Sequence, residues 1–175
     1  RDDFETAPNE LPQPEKLYNW ELGTEFIHQK YIVSINLYDM QYKNQLILSG
    51  KINDVGAYTR INVPNSYRMG LEIAAGYTPL PQLNLNANAT FSKNKIKEFV
   101  EYYDNYDEGG QVEILHKNTD IALSPNTIAA LSIAYQPVQL MNNKQNLWLE
   151  LTSKYVGRQF LDNTSNLKRS IQPYS

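Results

Sequence analysis

The densest group of residues able to touch a ligand lies in 98–118. It holds Glu101, Tyr102, Tyr103, Asp104, Tyr106, Asp107 and Glu108, then Gly109-Gly110. Tyrosine rings can stack on a ligand and their hydroxyls can hydrogen-bond it, and binding residues concentrate on segments that connect a rigid scaffold. Tyr102, Tyr103 and Tyr106 are therefore the first candidate ligand contacts. The plainer reading of the same segment is a solvated loop with interfacial tyrosines. A second candidate set is Arg60, on the preceding long connection, with Arg68 and Glu72. Such charges also occur on any wet surface.

Other chemistry finds no support. The chain has no cysteine, which excludes disulfide scaffolds, cysteine metal sites and thiol catalysis. Its two histidines, His28 and His116, are far apart, so no metal site is expected. The stretch 104–109 looks superficially like a calcium loop, but Tyr106 stands at the second ligand position and Leu115 at the bidentate glutamate position. No Gly-x-Ser-x-Gly elbow, Gly-x-Gly-x-x-Gly turn or phosphate loop is present. The sequence thus points to no enzyme and no cofactor. A net charge of −3 gives no reason to expect nucleic acid as a partner. Asn88-Ala89-Thr90 and Asn163-Thr164-Ser165 match a glycosylation pattern, read here as chance.

The elements that must position these residues are strands. Apolar and polar residues alternate with period two, and helical periodicity is nearly absent. In 82–94, Leu83, Leu85, Ala87, Ala89 and Phe91 share one face, and Asn84, Asn86, Asn88, Thr90, Ser92 and Asn94 share the other. In 66–77, Tyr67, Met69, Leu71, Ile73, Ala75 and Tyr77 form an uncharged face opposite Arg68, Gly70 and Glu72. Weaker runs place Tyr18, Trp20, Leu22, Thr24 and Phe26 together, then Tyr31, Val33, Ile35 and Leu37. The latter run changes phase at Tyr38, Met40 and Tyr42, through a bulge or by leaving the apolar layer. Two further runs carry Thr127, Ala129, Leu131, Ile133 and Tyr135, and Leu147, Leu149, Leu151 and Tyr155. A seventh strand is expected near Ser170, and 1–15 read as a polar, proline-rich loop. Connections alternate: 28–30 and 78–81 are short, 136–145 is intermediate, and 48–64, 98–125 and 157–168 are long.

A soluble sheet also alternates. Two features favour lipid. The runs last about 10 to 16 residues, against a usual strand of about 5–6. Tyr67 and Tyr77 lie ten residues apart on one face; at about 45° of tilt that spans roughly 23 Å, close to the apolar band of a membrane barrel with its aromatic girdles. An asparagine ladder suits a wet lumen, and no lysine or arginine interrupts the apolar faces. The expected architecture is all-β: an antiparallel transmembrane β-barrel fragment of about six or seven strands over 16–175. The smallest single-chain barrels have eight strands, so the chain is expected to continue, or to pair with other chains. The start at Arg1 rather than Met fits processing or excision. The alternative is a soluble extracellular or adhesive β-domain with no transport role.

Short motifs sharpen this. Arg1-Asp2-Asp3-Phe4, Trp20-Glu21-Leu22-Gly23, Asn53-Asp54-Val55-Gly56, Ser66-Tyr67-Arg68-Met69-Gly70-Leu71-Glu72, Ser124-Pro125-Asn126 and above all Tyr155-Val156-Gly157-Arg158-Gln159-Phe160-Leu161-Asp162-Asn163-Thr164 occur in this order. The chain resembles the later barrel strands of TonB-dependent outer-membrane receptors, in a style similar to those of the Bacteroidetes. The resemblance implies a barrel of about 22 strands around an N-terminal plug. It implies residence in the outer membrane of a Gram-negative bacterium, contact with lipid, and TonB as a partner through the plug region, which is missing here. It also implies active uptake of a scarce small-molecule ligand, such as a ferric siderophore or other metal chelate. The plug, the TonB box and the last strands are not among these residues, so gating and energy coupling cannot be argued from them.

Overall fold

The computed structural model describes residues 12–52, 58–107, 109–137 and 147–175. Most of the 1–15 segment, the motifs at 1–4 and 53–56, Glu108, and most of the 136–145 connection lie outside the described residues. Seven strands make one antiparallel sheet: β1 (Lys16–His28), β2 (Tyr31–Ile52), β3 (Tyr58–Leu80), β4 (Leu83–Asp104), β5 (Gln111–Asp120), β6 (Thr127–Tyr135) and β7 (Leu149–Val156). The order is β1-β2-β3-β4-β6-β7, with β5 also on β4. A small second sheet pairs β8 (Gln159–Phe160) with β9 (Ser170–Ile171), and a 3-10 turn, Leu167–Arg169, leads into β9. No helix among the described residues is long and apolar enough to cross a membrane, which has no bearing on crossing by strands.

Register turns the alternation of single strands into two continuous surfaces, because directly opposed residues share a face. Leu22 opposes Leu37, Leu37 opposes Leu71, and Leu71 opposes Phe91. Lower down, Phe26, Val33, Ala75, Ala87 and Leu131 follow one another across five strands. The reverse face reads Gly23, Asn36, Glu72, Thr90 and Ile128 in one row and Glu25, Ser34, Ala74, Asn88, Ala130 and Lys154 in another. Tyr38 lies over Gly70, where an added Cβ would meet its hydroxyl oxygen at 2.7 Å and the carbonyl oxygen of Phe91 at 2.6 Å. Two of the turns at the lower end are tight, at 29–30 and 81–82.

This lower part is a single layer. Every residue of β1 is exposed, Trp20 and Leu22 by 75% and 73%. Burial is concentrated above it, where Ile47, Val63, Ile96, Phe99 and Ile121 form a small core with Ile61 packed against it.

The phase change expected at Tyr38 is resolved by register. Pairing of β2 with both neighbours runs unbroken from Tyr31 to Lys43, so there is no bulge there. The outer face simply leaves its apolar layer at Asp39 and Gln41. The break in pairing comes later, at Asn44, which has φ 57°. Asn118, on β5, has the same φ of 57° and is likewise skipped. Asparagine tolerates this left-handed conformation better than other side-chain-bearing residues. Beyond these points alternation is offset: Val63 and Ser66 are both buried, as are Ile96 and Phe99.

Two expected long loops are mostly strand. The 48–64 segment carries the ends of β2 and β3, and 98–125 carries the rest of β4 and all of β5. Here the backbone pairs with itself beyond the apolar layer, so there is no lipid-facing alternation to announce it. β5 and β6 are in effect one interrupted strand along β4. Ile121 N donates to Asn94 O, and Ser92 N donates to Asn126 O, so two steps on β4 oppose five on the other strand. The intervening 122–125 bulge out, with Leu123 at φ 53°. The seventh strand is therefore β5. The strand expected near Ser170 is only the two residues of β9, outside the main sheet.

Candidate functional site

Above the Ser66 and Ile96 pair, β3 and β4 stop pairing and splay apart. Between them lies a cleft of about 700 Å³. Arg60, Asn62 and Pro64 line it from β3, Glu98, Val100 and Tyr102 from β4, and Leu115 from β5. Val63 and Phe99, both buried, form its floor. Pro12 and Gln13 close one side. Asn62 holds Gln13 there: its Oδ1 accepts from Gln13 N at 2.6 Å, while its Nδ2 donates to Gln13 O at 3.0 Å and Asn44 O at 2.6 Å. An arginine, an aromatic ring and an apolar floor can together hold an anionic group attached to a planar body.

The structure thus brings Arg60 and Tyr102 together and separates the other candidates from them. Tyr103 opposes Val112 on the other face of the hairpin, and Tyr106 is 91% exposed at its tip. Arg68 sits on the polar face of the wall, where Nη1 donates to Ser124 Oγ at 2.9 Å. It shares a separate polar hollow of about 420 Å³ with Glu72, Asn36 and Tyr38. Among the described residues, no three His, Asp or Glu side chains are grouped to hold a metal ion.

The cleft walls are held by contacts that the sequence did not announce. The segment after β7 folds back over the β4 and β5 hairpin. Asn163 is buried there; its Oδ1 accepts from Ala122 N at 2.9 Å and its Nδ2 donates to Leu48 O at 3.3 Å. Leu123 N donates to Phe160 O at 2.8 Å. Ser165 Oγ accepts from Asp120 N at 2.7 Å and donates to Asp120 Oδ2 at 3.0 Å, and Lys95 Nζ lies 2.9 Å from Asp120 Oδ1.

Glu101 is the second tie point. Its carboxylate lies 2.7 Å from His116 Nε2 and 3.1 Å from Arg169 Nη1, and His116 stacks on Phe99 with ring centroids 5.1 Å apart. Arg169 Nη1 also reaches Asp162 Oδ2 at 3.0 Å. Burial alone would raise the Asp162 carboxyl, but hydrogen bonds from the Thr164 hydroxyl and amide and from Arg169 outweigh it and hold it below the usual aspartate value. Arg169 is raised in turn by its bonds to Asp162 and Glu101. His116 is thus part of a packed hairpin, whereas His28 stacks on Tyr31 beside a lower turn, with centroids 4.7 Å apart. Only the Asp162-Asn163-Thr164 run carried a local signal, since a short acid can accept from a hydroxyl two residues on.

Comparison with known proteins bears on this arrangement. Residues 2–175 match the family model described as TonB dependent receptor-like, beta-barrel. No curated protein matches the sequence at a significant level. Among solved structures, the copper transporter OprC superposes with a TM-score of 0.60 at 13% identity, covering 93% of this chain and 22% of that one. The FrpB iron transporter from Neisseria meningitidis gives 0.60 at 14% identity, covering 96% and 24%. A ferric enterobactin receptor mutant from Pseudomonas aeruginosa, in complex with enterobactin, gives 0.55 at 18% identity, covering 91% and 22%. These likenesses concern the fold, and the chain spans about a quarter of the length of each.

Proposed function

Because the chain belongs to the TonB-dependent receptor-like β-barrel family, we propose that it forms wall and outer hairpins of a receptor that actively takes up a scarce nutrient across the outer membrane of a Gram-negative bacterium. The nutrient is a small metal chelate, of which a ferric siderophore is the leading case. What carries this reading is the family match across 2–175. The named neighbours transport copper or iron or receive ferric enterobactin, which agrees with it. TonB acts through a plug region, and the plug and the rest of the barrel complete the structure around this wall. A soluble adhesive domain is disfavoured, because its apolar face would need a second layer, and the outer row from Leu22 to Phe91 has none among the described residues.

The ligand contacts proposed in this chain are Arg60 and Tyr102 in the cleft, with Tyr103 and Tyr106 on the hairpin above it. Arg68 is the proposed contact on the lumen side. A metal chelate rich in carboxylates or catecholates is anionic and flat in parts, which suits a cleft lined by a guanidinium and a ring. The experiment is ligand binding to the full-length receptor with Arg60→Ala and Tyr102→Ala combined. Affinity for its ferric chelate should fall roughly tenfold or more, since each lost contact is worth on the order of 1 kcal/mol. Unchanged affinity would remove the cleft from the binding surface.

A further inference from the structure

Just above the apolar rows, the outer face changes character. Lys16 of β1 stands directly opposite Lys43 of β2. Like charges opposed on one face of an antiparallel pair repel, and such pairs destabilise a sheet unless something neutralises them. Neither side chain has a carboxylate partner among the described residues; Lys43 Nζ instead sits 5.9 Å from the Tyr18 ring centroid. Lys93, on β4, is also exposed and without an ion pair among the described residues. It opposes Met69 and lies one outward step above Phe91. Lys95, the next outward residue, is already committed to Asp120. Asp39, the acid in the row of Lys93, accepts from Gln41 Nε2 at 2.7 Å.

Three ammonium groups with no ion pair among the described residues thus crown an apolar face at the level where Tyr18 and the exposed Trp20 also point outward. Tyrosine and tryptophan favour the boundary between hydrocarbon and headgroup, and lysine stems can lie along apolar surface while the charge reaches that boundary. An anion held at this height by hydrocarbon packed on the rows below would relieve the repulsion. Resting on the membrane-wall reading above, we propose that Lys16, Lys43 and Lys93 form a site on the outer wall for the phosphate groups of a lipid headgroup. The lipid's chains pack on the outer row that includes Leu22, Leu37, Leu71 and Phe91, and its phosphate bridges the opposed lysines. This surface is separate from the cleft of Arg60 and Tyr102, so it would fix the wall in the bilayer rather than hold the transported ligand.

The test uses the full-length receptor in zwitterionic detergent, mixed with bis-phosphorylated lipid A or its dephosphorylated form, with retained lipid read by native mass spectrometry. Wild type should retain the phosphorylated form preferentially and lose it as salt is raised. Lys16→Gln, Lys43→Gln and Lys93→Gln together should weaken retention by about two orders of magnitude, at roughly fivefold per lysine near an anionic surface. The matching Lys→Arg triple keeps the charge and should retain the lipid. Equal retention of both lipid forms by wild type, or no effect of the glutamine triple, would overturn the proposal. If that triple does not fold, the wild-type lipid preference and its salt dependence still decide. Recovery of wild-type receptor in the aqueous phase without detergent would instead sink the membrane reading itself.

Discussion

The apolar-faced wall and the cap above it share three continuous strands, β2, β3 and β4, yet they are held together in different ways. In the wall, β2 pairs with both neighbours without a break from Tyr31 to Lys43 and the sheet is one layer thick; its apolar residues look outward and lie exposed or half-buried. In the cap, hairpins lean on each other and on the segment after β7, and enclose Ile47, Val63, Ile96, Phe99 and Ile121. Gly50 shows how close the approach is: at φ 84°, a Cβ there would clash with the carbonyl oxygen of Tyr102. A wall takes its burial from what surrounds it, whereas a cap standing beyond the apolar layer must bury its own residues. The lesson is that one sheet can change from solvent-matched to self-packed within a strand, and that the change falls where Asn44 and Asn118 offset the alternation.

The widest expected gap between the two regions is in large-to-small substitution. Phe99→Ala should destabilise the cap by about 3–5 kcal/mol, while Phe91→Ala, half-exposed on the wall, should cost about 1 kcal/mol. Hydrogen exchange of the β4 and β5 amides in the intact receptor measures the first and its denaturant midpoint the second; equal costs would break the comparison. Next, Leu71→Arg on the outer face should cost about 2–4 kcal/mol in a bilayer. Leu123→Arg, on the exposed cap bulge, should stay within about 0.5 kcal/mol. Refolding into lipid vesicles checks both, and a bilayer indifferent to Leu71→Arg would argue against lipid on that face.

Asn163→Ala leaves Ala122 N and Leu48 O without their buried partner, and should loosen the cap by about 2 kcal/mol. Faster exchange should then appear in β5 and upper β2 but not in β1. Thr119→Val should act the other way, by about 1 kcal/mol, because Thr119 Oγ1 is buried with no hydrogen-bond partner among the described residues. The smallest effect is that of pH. Asp162 titrates below its ordinary value, so its bonds to Thr164 and Arg169 contribute fully above about pH 4 and are lost as pH falls through the lowered value. Arg169 is about half exposed, which keeps this contribution below about 1 kcal/mol. Cap exchange should rise in acid, and Asp162→Asn should flatten that dependence.

Much of the wall was legible from residue order alone. Leu83, Leu85, Ala87, Ala89 and Phe91 declare a face because strand side chains alternate strictly, and register then aligned that face with its neighbours. The lower turns were equally plain. Strand extent above the wall was not, since Phe99, Val100, Tyr102 and Tyr103 give no alternation of apolar and polar types. Of the candidate contacts, the residue types were legible and their grouping was not. Arg60 and Tyr102 meet only because β3 and β4 part after Ser66 and Ile96, while Arg68 is carried to the polar face by its parity.

By itself the sequence determined the strands of the wall, their two faces and the class of barrel they resemble. These are local or periodic properties, fixed by the geometry of an extended chain. The tertiary structure alone decided the cap: the interrupted strand, the cleft, the opposed lysines, and Asn163 joining Leu48 to Ala122. Each depends on which backbone groups find partners far along the chain, and a hydrogen bond between residues 115 apart leaves no local mark on either of them.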